Sequence, residues 1–462
     1  MKSVPGRHGA PQFFAMLLAA MVSGCASYQP QPLDREAPPP LNLERLTVDA
    51  ARMPFPALAR HVFDPTDGLD IDEVAMLAVA NNPQLKVARD DLGIAQAQAF
   101  AAGLLPDPQL SLTRDVPTNG GPGNTTAFNL GLNYDVGALL TRSARSGAAQ
   151  AVQRKVDLEL LWQEWQVVSQ ARLLFVRNVM QRRLAAVLEE TRALLDDRYQ
   201  RALAALRQGN ATVESTSADL AALQDISRQA GDLERQRLRN GLELRGLLGL
   251  GPDAPLELVG AAALPELDVA QVKRDLPQLA RRRPDLLALA AGYNSQELRV
   301  REAIRAQFPA LNVGVTRARD TSDLYTRGFG ITLSLPIFNR NRGAIAVERA
   351  TRRRLHDDYR RRLAAAMFEV NGLLQSQALL RRQYEQVRET IALLAPALDG
   401  AAAALRAGNV TELSYVGLRS ALLAKRVEAL TLEQQLLEQR VGMLTLAGGE
   451  LPPAAEKRGA GP

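Results

Sequence analysis

Hydrophobic and polar residues alternate strictly in four short segments of the chain. A period of two places every apolar member on one side of an extended backbone, so each segment predicts a β-strand with one apolar and one polar face. The apolar members are Leu110 and Leu112; Phe128, Leu130, Leu132, Tyr134 and Val136; Leu311, Val313 and Val315; and Phe329, Ile331, Leu333, Leu335 and Ile337.

Between the strand pairs the apolar spacing changes to threes and fours, which predicts helices. No proline occurs between Ser143 and Gly209, and about 65 helical residues at about 1.5 Å each would extend about 100 Å. Helices of globular proteins rarely exceed about 20 residues, so this length favours coiled-coil packing. Two seams fit that packing: Leu158, Leu161, Trp165, Val168 and Phe175, and Leu423, Val427, Leu430, Leu437, Val441 and Leu444.

Three landmarks recur after about 200 residues, which indicates an internal duplication. Residues 82–85 (NPQL) match 283–286 (RPDL), residues 106–114 match 309–317, and residues 206–212 (LRQGNAT) match 405–411 (LRAGNVT). Each copy predicts a short helix, a strand, a loop, a strand, a long helix, a turn and a long helix. We therefore expect a mostly α fold with a small β part, with repeats at 66–261 and 262–450 and a tail at 451–462.

The amino terminus has the features of an export signal. Lys2 and Arg7 precede an apolar run at 13–22 that is too short to span a bilayer. Residues 22–25 (VSGC) resemble the bacterial lipobox and contain the only cysteine of the chain, Cys25. We expect a signal peptide at 1–24, acylation of Cys25 with fatty chains such as palmitate, and a Pro- and Gln-rich tether at 25–65. Ala26, in place of Asp, favours delivery to the outer membrane.

Four such strands cannot stand alone in a lipid bilayer. Each unpaired backbone group at a sheet edge would cost several kcal/mol in lipid, so the sheet has to close with strands of other chains. Two chains would supply eight strands, a barrel filled by its own side chains, whereas three would supply twelve and leave a passage. A trimer is therefore favoured over a dimer, and a soluble β-sandwich face is the alternative.

Charge and composition indicate no nucleic-acid, metal or phosphate site. The arginine runs at 281–283 and 352–354 could contact nucleic acid, but the net charge of +6 is modest, and we interpret both runs as solvated helix faces. His8, His61 and His356 are too scattered for a metal site. The glycines of residues 246–251 end a helix before Pro252 and do not form a phosphate loop. We expect no cofactor, no nucleic-acid partner and no enzymatic activity.

The export signal, the duplication, the strand pairs and the long hairpins together resemble the TolC-type outer-membrane efflux family. The cysteine is similar to that of its lipoprotein branch, and residues 334–343 (SLPIFNRNRG) are similar to the branch that serves heavy-metal exporters. The resemblance implies a homotrimer with a 12-stranded β-barrel in the outer membrane, continued by a periplasmic α-barrel. It also implies a periplasmic adaptor and an inner-membrane pump of the resistance-nodulation-division type as partners, and a passive path for small solutes.

The resemblance also assigns sites at the helix-turn-helix tips, which in the family dock against the adaptor. We expect contact from the eight tip residues Arg207, Gly209, Asn210, Thr212, Arg406, Gly408, Asn409 and Thr411. Many relatives carry an Asp at the gate near the position of Gly417, and here Glu214 and Glu412 are the candidate gate residues. The alternative functions are a coiled-coil lipoprotein scaffold of the periplasm without a pore and a periplasmic enzyme.

Overall fold

The fold is described from a computed structural model for residues 27–33, 35, 48–50, 53, 55–118, 123–262, 264, 266 and 268–447. The chain divides into two units, residues 1–40 and 41–462. The described residues of the first unit have no regular secondary structure, and all described helices and strands belong to the second. The predicted signal peptide, Cys25 and the tail at 451–462 lie outside the described residues.

The first repeat has the predicted strand pair and long helical hairpin, but more than one short helix precedes its first strand, and the first of these lies before residue 66. Asp70 starts its second helix with a capping box, because its carboxylate accepts from the backbone N–H of Glu73 (2.8 Å) while the Glu73 carboxylate accepts from the N–H of Asp70 (2.8 Å). The elements are α1 (Pro56–Arg60), α2 (Ile71–Asn81), α3 (Pro83–Gly103), β1 (Gln109–Asp115), β2 (Ala127–Asp135), α4 (Gly137–Arg207) and α5 (Val213–Leu247).

The second repeat follows the same order. Its long helix contains Pro396, which removes one backbone donor, yet the helix continues past it while packing along its antiparallel neighbour. The elements are α6 (Val269–Asp275), a short 3₁₀ turn (Leu276–Gln278), α7 (Leu279–Arg282), α8 (Pro284–Arg305), β3 (Ala310–Arg319), β4 (Tyr325–Ser334), α9 (Arg342–Arg406) and α10 (Glu412–Ala447).

The four strands form one antiparallel sheet in the order β1-β2-β3-β4. The two repeats meet at its centre, where Leu132 of β2 is opposite Val315 of β3. Strands β1 and β4 are the edges. Because the strands alternate in direction, the four connections to helices leave from one end of the sheet and the two hairpin loops lie at the other.

The fourth strand differs from its prediction at both ends. It begins at Tyr325 and ends at Ser334, so Leu335 and Ile337 lie beyond it. Pro336 has no N–H to donate to a sheet, and the N–H of Ile337 instead donates to the carbonyl of Leu335 (2.9 Å) in a tight turn. The alternation of residues 329–337 therefore continues past the strand itself.

Two main hydrophobic cores hold the helices together, the larger around α4 of the first repeat, to which Val441 of α10 also contributes. In the first, Val74 and Leu77 of α2 pack against Leu174 and Phe175 of α4. The second core joins α7, α8, α9 and α10 through Leu279, Leu286, Val370 and Met443.

The residue before the helix-starting proline differs between the repeats. In the first, the side chain of Asn82 caps α3 by accepting from the backbone N–H groups of Gln84 (2.9 Å) and Leu85 (3.1 Å). In the second, Arg283 occupies this place with 0% of its side chain exposed. The prediction that all three arginines of 281–283 lie on a solvated face is therefore wrong for Arg283.

Burial of Arg283 is possible because an ionic cluster surrounds it. Its Nε and Nη2 donate to the two carboxylate oxygens of Asp285 (3.0 and 2.8 Å), and its guanidinium lies 4.9 Å from the ring centre of Trp162. Arg362 donates to the same carboxylate (2.9 Å). Burial opposes ionisation of Asp285, but the two guanidinium groups outweigh it and lower its pKa below the ordinary value of 3.8.

Candidate channel wall and helical tips

One face of the sheet is apolar in the part nearer the helices, whereas the part nearer the hairpin loops also carries Arg114, Arg317, Arg319 and Arg327. The register places Leu110, Leu132, Val315 and Phe329 in a row across all four strands. Phe329 is 69% exposed and the other members are also open to solvent. The exposed apolar residues of this face are Leu110, Leu112, Leu130, Leu132, Val315, Phe329, Ile331 and Leu333. A contiguous exposed apolar face of this extent is typical of a surface that meets lipid or a protein partner.

The opposite face of the sheet carries small and polar residues. The row Ser111, Gly131, Thr316 and Gly328 crosses the four strands. A Cβ atom at Gly131 would lie 2.7 Å from the hydroxyl of Ser111, and one at Gly328 would lie 2.9 Å from the hydroxyl of Thr316. A side chain at either glycine would therefore force the neighbouring hydroxyl group to move. Small residues on one face and large ones on the other suit a sheet that curves toward the polar side.

The first tip reverses the chain between α4 and α5 through a Schellman motif. Gly209 has φ +75°, the N–H of Asn210 donates to the carbonyl of Ala205 (2.8 Å), and the N–H of Gly209 donates to that of Leu206 (3.0 Å). Thr212 then caps α5, because its hydroxyl accepts from the N–H of Ser215 (3.2 Å). The sequence LRQGNAT thus contains both the stop of one helix and the start of the next.

The second tip repeats this geometry between α9 and α10. Gly408 has φ +73°, and the N–H of Asn409 donates to the carbonyl of Ala404 (2.9 Å). The hydroxyl of Thr411 accepts from the N–H of Ser414 (3.3 Å). All eight predicted tip residues are exposed. Contact with an adaptor stays a prediction for each of them.

Two exposed apolar residues also belong to the tips and were not among the predicted sites. Val213 is the first residue of α5 and Leu413 is the second residue of α10, and their side chains are 70% and 66% exposed. An apolar residue at the start of both returning helices was visible in the sequence, but its exposure depends on the turn geometry. These side chains add an apolar contact to each otherwise polar tip.

The two candidate gate residues have different surroundings. Glu412 forms an ion pair with Arg201 of α4, so it connects the second tip to the last turns before the first. Glu214 lies in the first turn of α5, is exposed, and forms no ion pair within the described part of the chain. A role in gating stays a prediction for both residues.

The Arg201–Glu412 contact is the last in a series of ion pairs between α4 and α10. The residue numbers rise along α4 as they fall along α10, as expected for antiparallel neighbours. Each pair joins residues more than 200 positions apart, so helical periodicity did not predict them. The pairs are Arg177–Glu438 (3.0 Å), Arg183–Glu433 (2.7 Å), Glu190–Arg419 (3.2 Å) and Arg201–Glu412.

The histidines predicted to be unsuited to a metal site have other partners. His61 lies 3.0 Å from the carboxylate of Asp70, and His356 lies 3.2 Å from that of Asp357. His8 lies outside the described residues. Within the described ranges, no group of three or more His, Cys, Asp and Glu side chains is arranged to hold a metal ion. Over the same ranges, no helix is both long and apolar enough to cross a bilayer.

Comparisons with known proteins agree with this geometry. The family model for outer membrane efflux proteins matches residues 276–449, while no curated protein sequence matches the chain. Among solved structures, CusC is 18% identical, with a TM-score of 0.66 over 87% of this chain and 96% of its own. The CmeC outer membrane channel of Campylobacter jejuni is 17% identical, with a TM-score of 0.69 over 84% and 87%.

A third similar structure is the outer-membrane channel OprN, which is 16% identical with a TM-score of 0.68 over 90% of this chain and 98% of its own. These identities are low, so the structural similarity establishes the fold, and the family model adds a sequence match within the second repeat. Residues 276–449 therefore match the outer membrane efflux protein family, and the chain has the fold of the TolC-type efflux channels.

Proposed function

We propose that this chain is the outer-membrane channel subunit of a tripartite efflux pump, a passive conduit for small solutes. The observation that supports this most directly is the exposed apolar face of the sheet, which includes Leu112 at 72% exposure. Lipid would cover this face, and the polar face would line the passage. A channel of this kind needs no catalytic group, in agreement with a family of conduits and not of enzymes.

The unpaired edges of the sheet support a closed assembly of several chains. Strands β1 and β4 each have a neighbour on one side only, and unpaired backbone groups in lipid cost several kcal/mol each. Three chains of four strands each would close a ring of twelve, wide enough for a passage. In this proposal β1 of each protomer pairs with β4 of the next, and the long helices form the wall of a periplasmic α-barrel.

The helical part provides the length that a path through the periplasm needs. Helix α4 contains 71 residues, which corresponds to about 105 Å at about 1.5 Å per residue. Its tip lies at the end opposite the sheet. We propose that the tips dock a periplasmic adaptor, which joins the channel to an inner-membrane pump of the resistance-nodulation-division type. Glu412 and Glu214 would lie near the periplasmic opening.

Anchoring by lipid at Cys25 belongs to the same proposal. Its support is the sequence VSGC at 22–25 after a basic and then apolar segment. Palmitate labelling of cells that express the protein tests it, with Cys25→Ser as the unlabelled control. Labelling of that variant would contradict acylation at this position.

Planar-bilayer recording tests the conduit itself. Purified protein is expected to migrate as a trimer in native mass spectrometry and to produce discrete conductance steps. A stable trimer without conductance would contradict the channel and favour a coiled-coil scaffold without a pore.

Deletion of the gene, followed by growth on metal salts and on a panel of drugs, identifies the class of exported solute.

A further inference from the structure

Three arginines lie on neighbouring helices where the helices meet the sheet. Arg142 and Arg145 lie in the first turns of α4, and their Nε atoms donate to the carbonyls of Gly103 (2.7 Å) and Ala102 (3.5 Å), the last residues of α3. Arg305, in the last turn of α8, donates to the hydroxyl of Ser143 (3.3 Å), which lies between the other two along α4. We call these three residues the arginine cluster.

No carboxylate neutralises the arginine cluster within the described part of the chain. Glu302 lies one turn before Arg305 but forms no ion pair with it. The carboxylate of Asp135 accepts from the backbone N–H of Ala138 (3.0 Å). Each guanidinium has five N–H donors, and each uses one of them in the contacts above. Three positive charges at the same junction of helices and sheet, with most donors still available, are suited to an anionic ligand with several oxygen atoms.

The arginine cluster lies at the boundary of the apolar face. Strand β2 ends at Asp135, seven residues before Arg142, and β3 begins at Ala310, five residues after Arg305. Large apolar side chains are exposed at the same level. They are Leu140 (60%), Ile304 (38%) and Phe308 (71%). Charged groups beside exposed apolar groups match the boundary between phosphate head groups and acyl chains.

We propose that the arginine cluster binds the phosphate of an anionic phospholipid, such as phosphatidylglycerol, in the periplasmic leaflet of the outer membrane. This inference rests on the proposed function, because it requires the sheet to lie in that membrane. Free phosphate would gain only the contacts with the guanidinium groups, whereas a phospholipid would also cover the apolar side chains beside them. A bound lipid would contact α3, α4 and α8 where they join the strands.

Native mass spectrometry of delipidated protein, titrated with phosphatidylglycerol, phosphatidylcholine or inorganic phosphate, tests this site. The native protein is expected to prefer phosphatidylglycerol. The triple variant Arg142→Gln, Arg145→Gln, Arg305→Gln should bind it at least about tenfold more weakly, since each arginine near an anionic lipid contributes to binding. A triple lysine variant at the same positions should keep most of the preference, because it keeps the charges.

The matched control removes three other exposed arginines with Arg237→Gln, Arg239→Gln and Arg382→Gln, which lie about 60 Å from the arginine cluster along the helices. This control should bind phosphatidylglycerol like the native protein.

Should the triple glutamine variant not fold, Arg305→Gln alone is used, because it removes only the contact with Ser143. Its affinity for phosphatidylglycerol should fall measurably below that of the native protein.

Three results would overturn the proposal: equal affinity of all variants for phosphatidylglycerol, equal affinity of the native protein for phosphatidylcholine, or displacement of phosphatidylglycerol by millimolar inorganic phosphate. Conductance measured on the same preparations separates the two proposals. A conducting native trimer without preference for phosphatidylglycerol contradicts the lipid site alone. A native trimer that does not conduct contradicts the channel.

Discussion

Arg201, two turns before the first tip, forms an ion pair with Glu412, the first residue of the helix that leaves the second tip. The two tips of one chain are thereby connected by side chains at the end of the molecule farthest from the sheet. Arg201 also pairs with Asp197 on its own helix (2.7 Å). The contact is therefore part of a small charged network that restrains the relative position of α4 and α10 near the tips.

Glu412→Gln should loosen the tips and raise the conductance or open probability of the channel. The substitution removes the charge that pairs with Arg201 and keeps the size of the side chain. Both partners are more than half exposed, so the effect on the free energy of unfolding should stay below about 1 kcal/mol. Single-channel recording measures the first effect and thermal unfolding the second.

Glu214→Gln is the matched control for Glu412→Gln, because Glu214 occupies the equivalent turn of α5 and lacks an ion pair among the described residues. It should change the conductance less than Glu412→Gln does, because it removes a charge at the candidate gate without breaking an ion pair. The exchange Arg201→Glu with Glu412→Arg should restore native behaviour. If Glu412→Gln and Glu214→Gln alter conductance equally, the ion pair is not the restraint.

Valine at both Gly209 and Gly408 should abolish export while trimers remain in the membrane. No atom lies within 4 Å of a Cβ built at either glycine. The conformational free energy of the substitution therefore comes from the positive φ and not from a steric clash. That cost is about 1–2 kcal/mol per site for a residue with a side chain, and it is higher for a β-branched one. The tips would change shape although the body stays folded.

Asparagine at the same two positions is the conservative control, because it tolerates a positive φ better than other residues with side chains. Gly209→Asn with Gly408→Asn should retain most of the export. Export is measured by growth on the substrate identified in the deletion screen, and trimers by native electrophoresis of membranes. Normal export by the double valine variant would contradict a role of the tip shape in docking.

The sequence predicted the features that depend on local periodicity. The alternation around Leu130 and Leu132 identified a strand, and the LRQGNAT and LRAGNVT segments identified both tips, because a Schellman stop and a threonine cap are encoded within seven residues. The recurrence of these segments also revealed the duplication. The strand pairs and long helical hairpins followed from these signals, whereas the additional short helices before each strand pair were not predicted.

Features that depend on distant residues were not predictable in this way. The guanidinium of Arg283 lies over the ring of Trp162, more than 100 positions away, so its run of three arginines was interpreted as a solvated face. The α4–α10 ion pairs join the two repeats, and periodicity contains no information about which charged residues of two long helices meet. The exposure of Val213 and Leu413 likewise depends on the tertiary position of the tips.

Arg283→Leu should destabilise the protein by about 3 kcal/mol, near the lower end of the cost of removing one partner from a buried ion pair. Two hydrogen bonds to Asp285 and the contact with Trp162 would be lost, while Arg362 would still pair with Asp285. The free energy of unfolding, measured by denaturant titration with circular dichroism, checks this value.

Arg281→Leu is the control for Arg283→Leu, since Arg281 belongs to the same run, is exposed and forms no ion pair among the described residues. Arg281→Leu should change the free energy of unfolding by no more than about 0.5 kcal/mol, as most surface substitutions do. Equal effects of the two substitutions would show that burial of Arg283 does not stabilise the fold.

Asp285 should make the free energy of unfolding depend on pH below about pH 4. Its pKa in the folded chain lies below the ordinary value of 3.8, because the guanidinium groups of Arg283 and Arg362 outweigh the effect of burial. The folded state therefore favours the ionised carboxylate more than the unfolded state does. The resulting stabilisation is fully present above about pH 4 and is lost as the pH falls through the folded pKa.

Asp285→Asn should accordingly lower the unfolding temperature at pH 6 and reduce its further decline below about pH 4. Part of the decline should remain, because other carboxylates have pKa values lowered by hydrogen bonds, including Asp225 with Arg228 and Gln229, and Asp275 with Gln271 and Arg282. Asp253→Asn, which removes an exposed carboxylate without an ion pair among the described residues, should keep the native decline. If Asp285→Asn and the native protein lose stability in parallel below pH 4, the buried cluster does not contribute to the acid sensitivity.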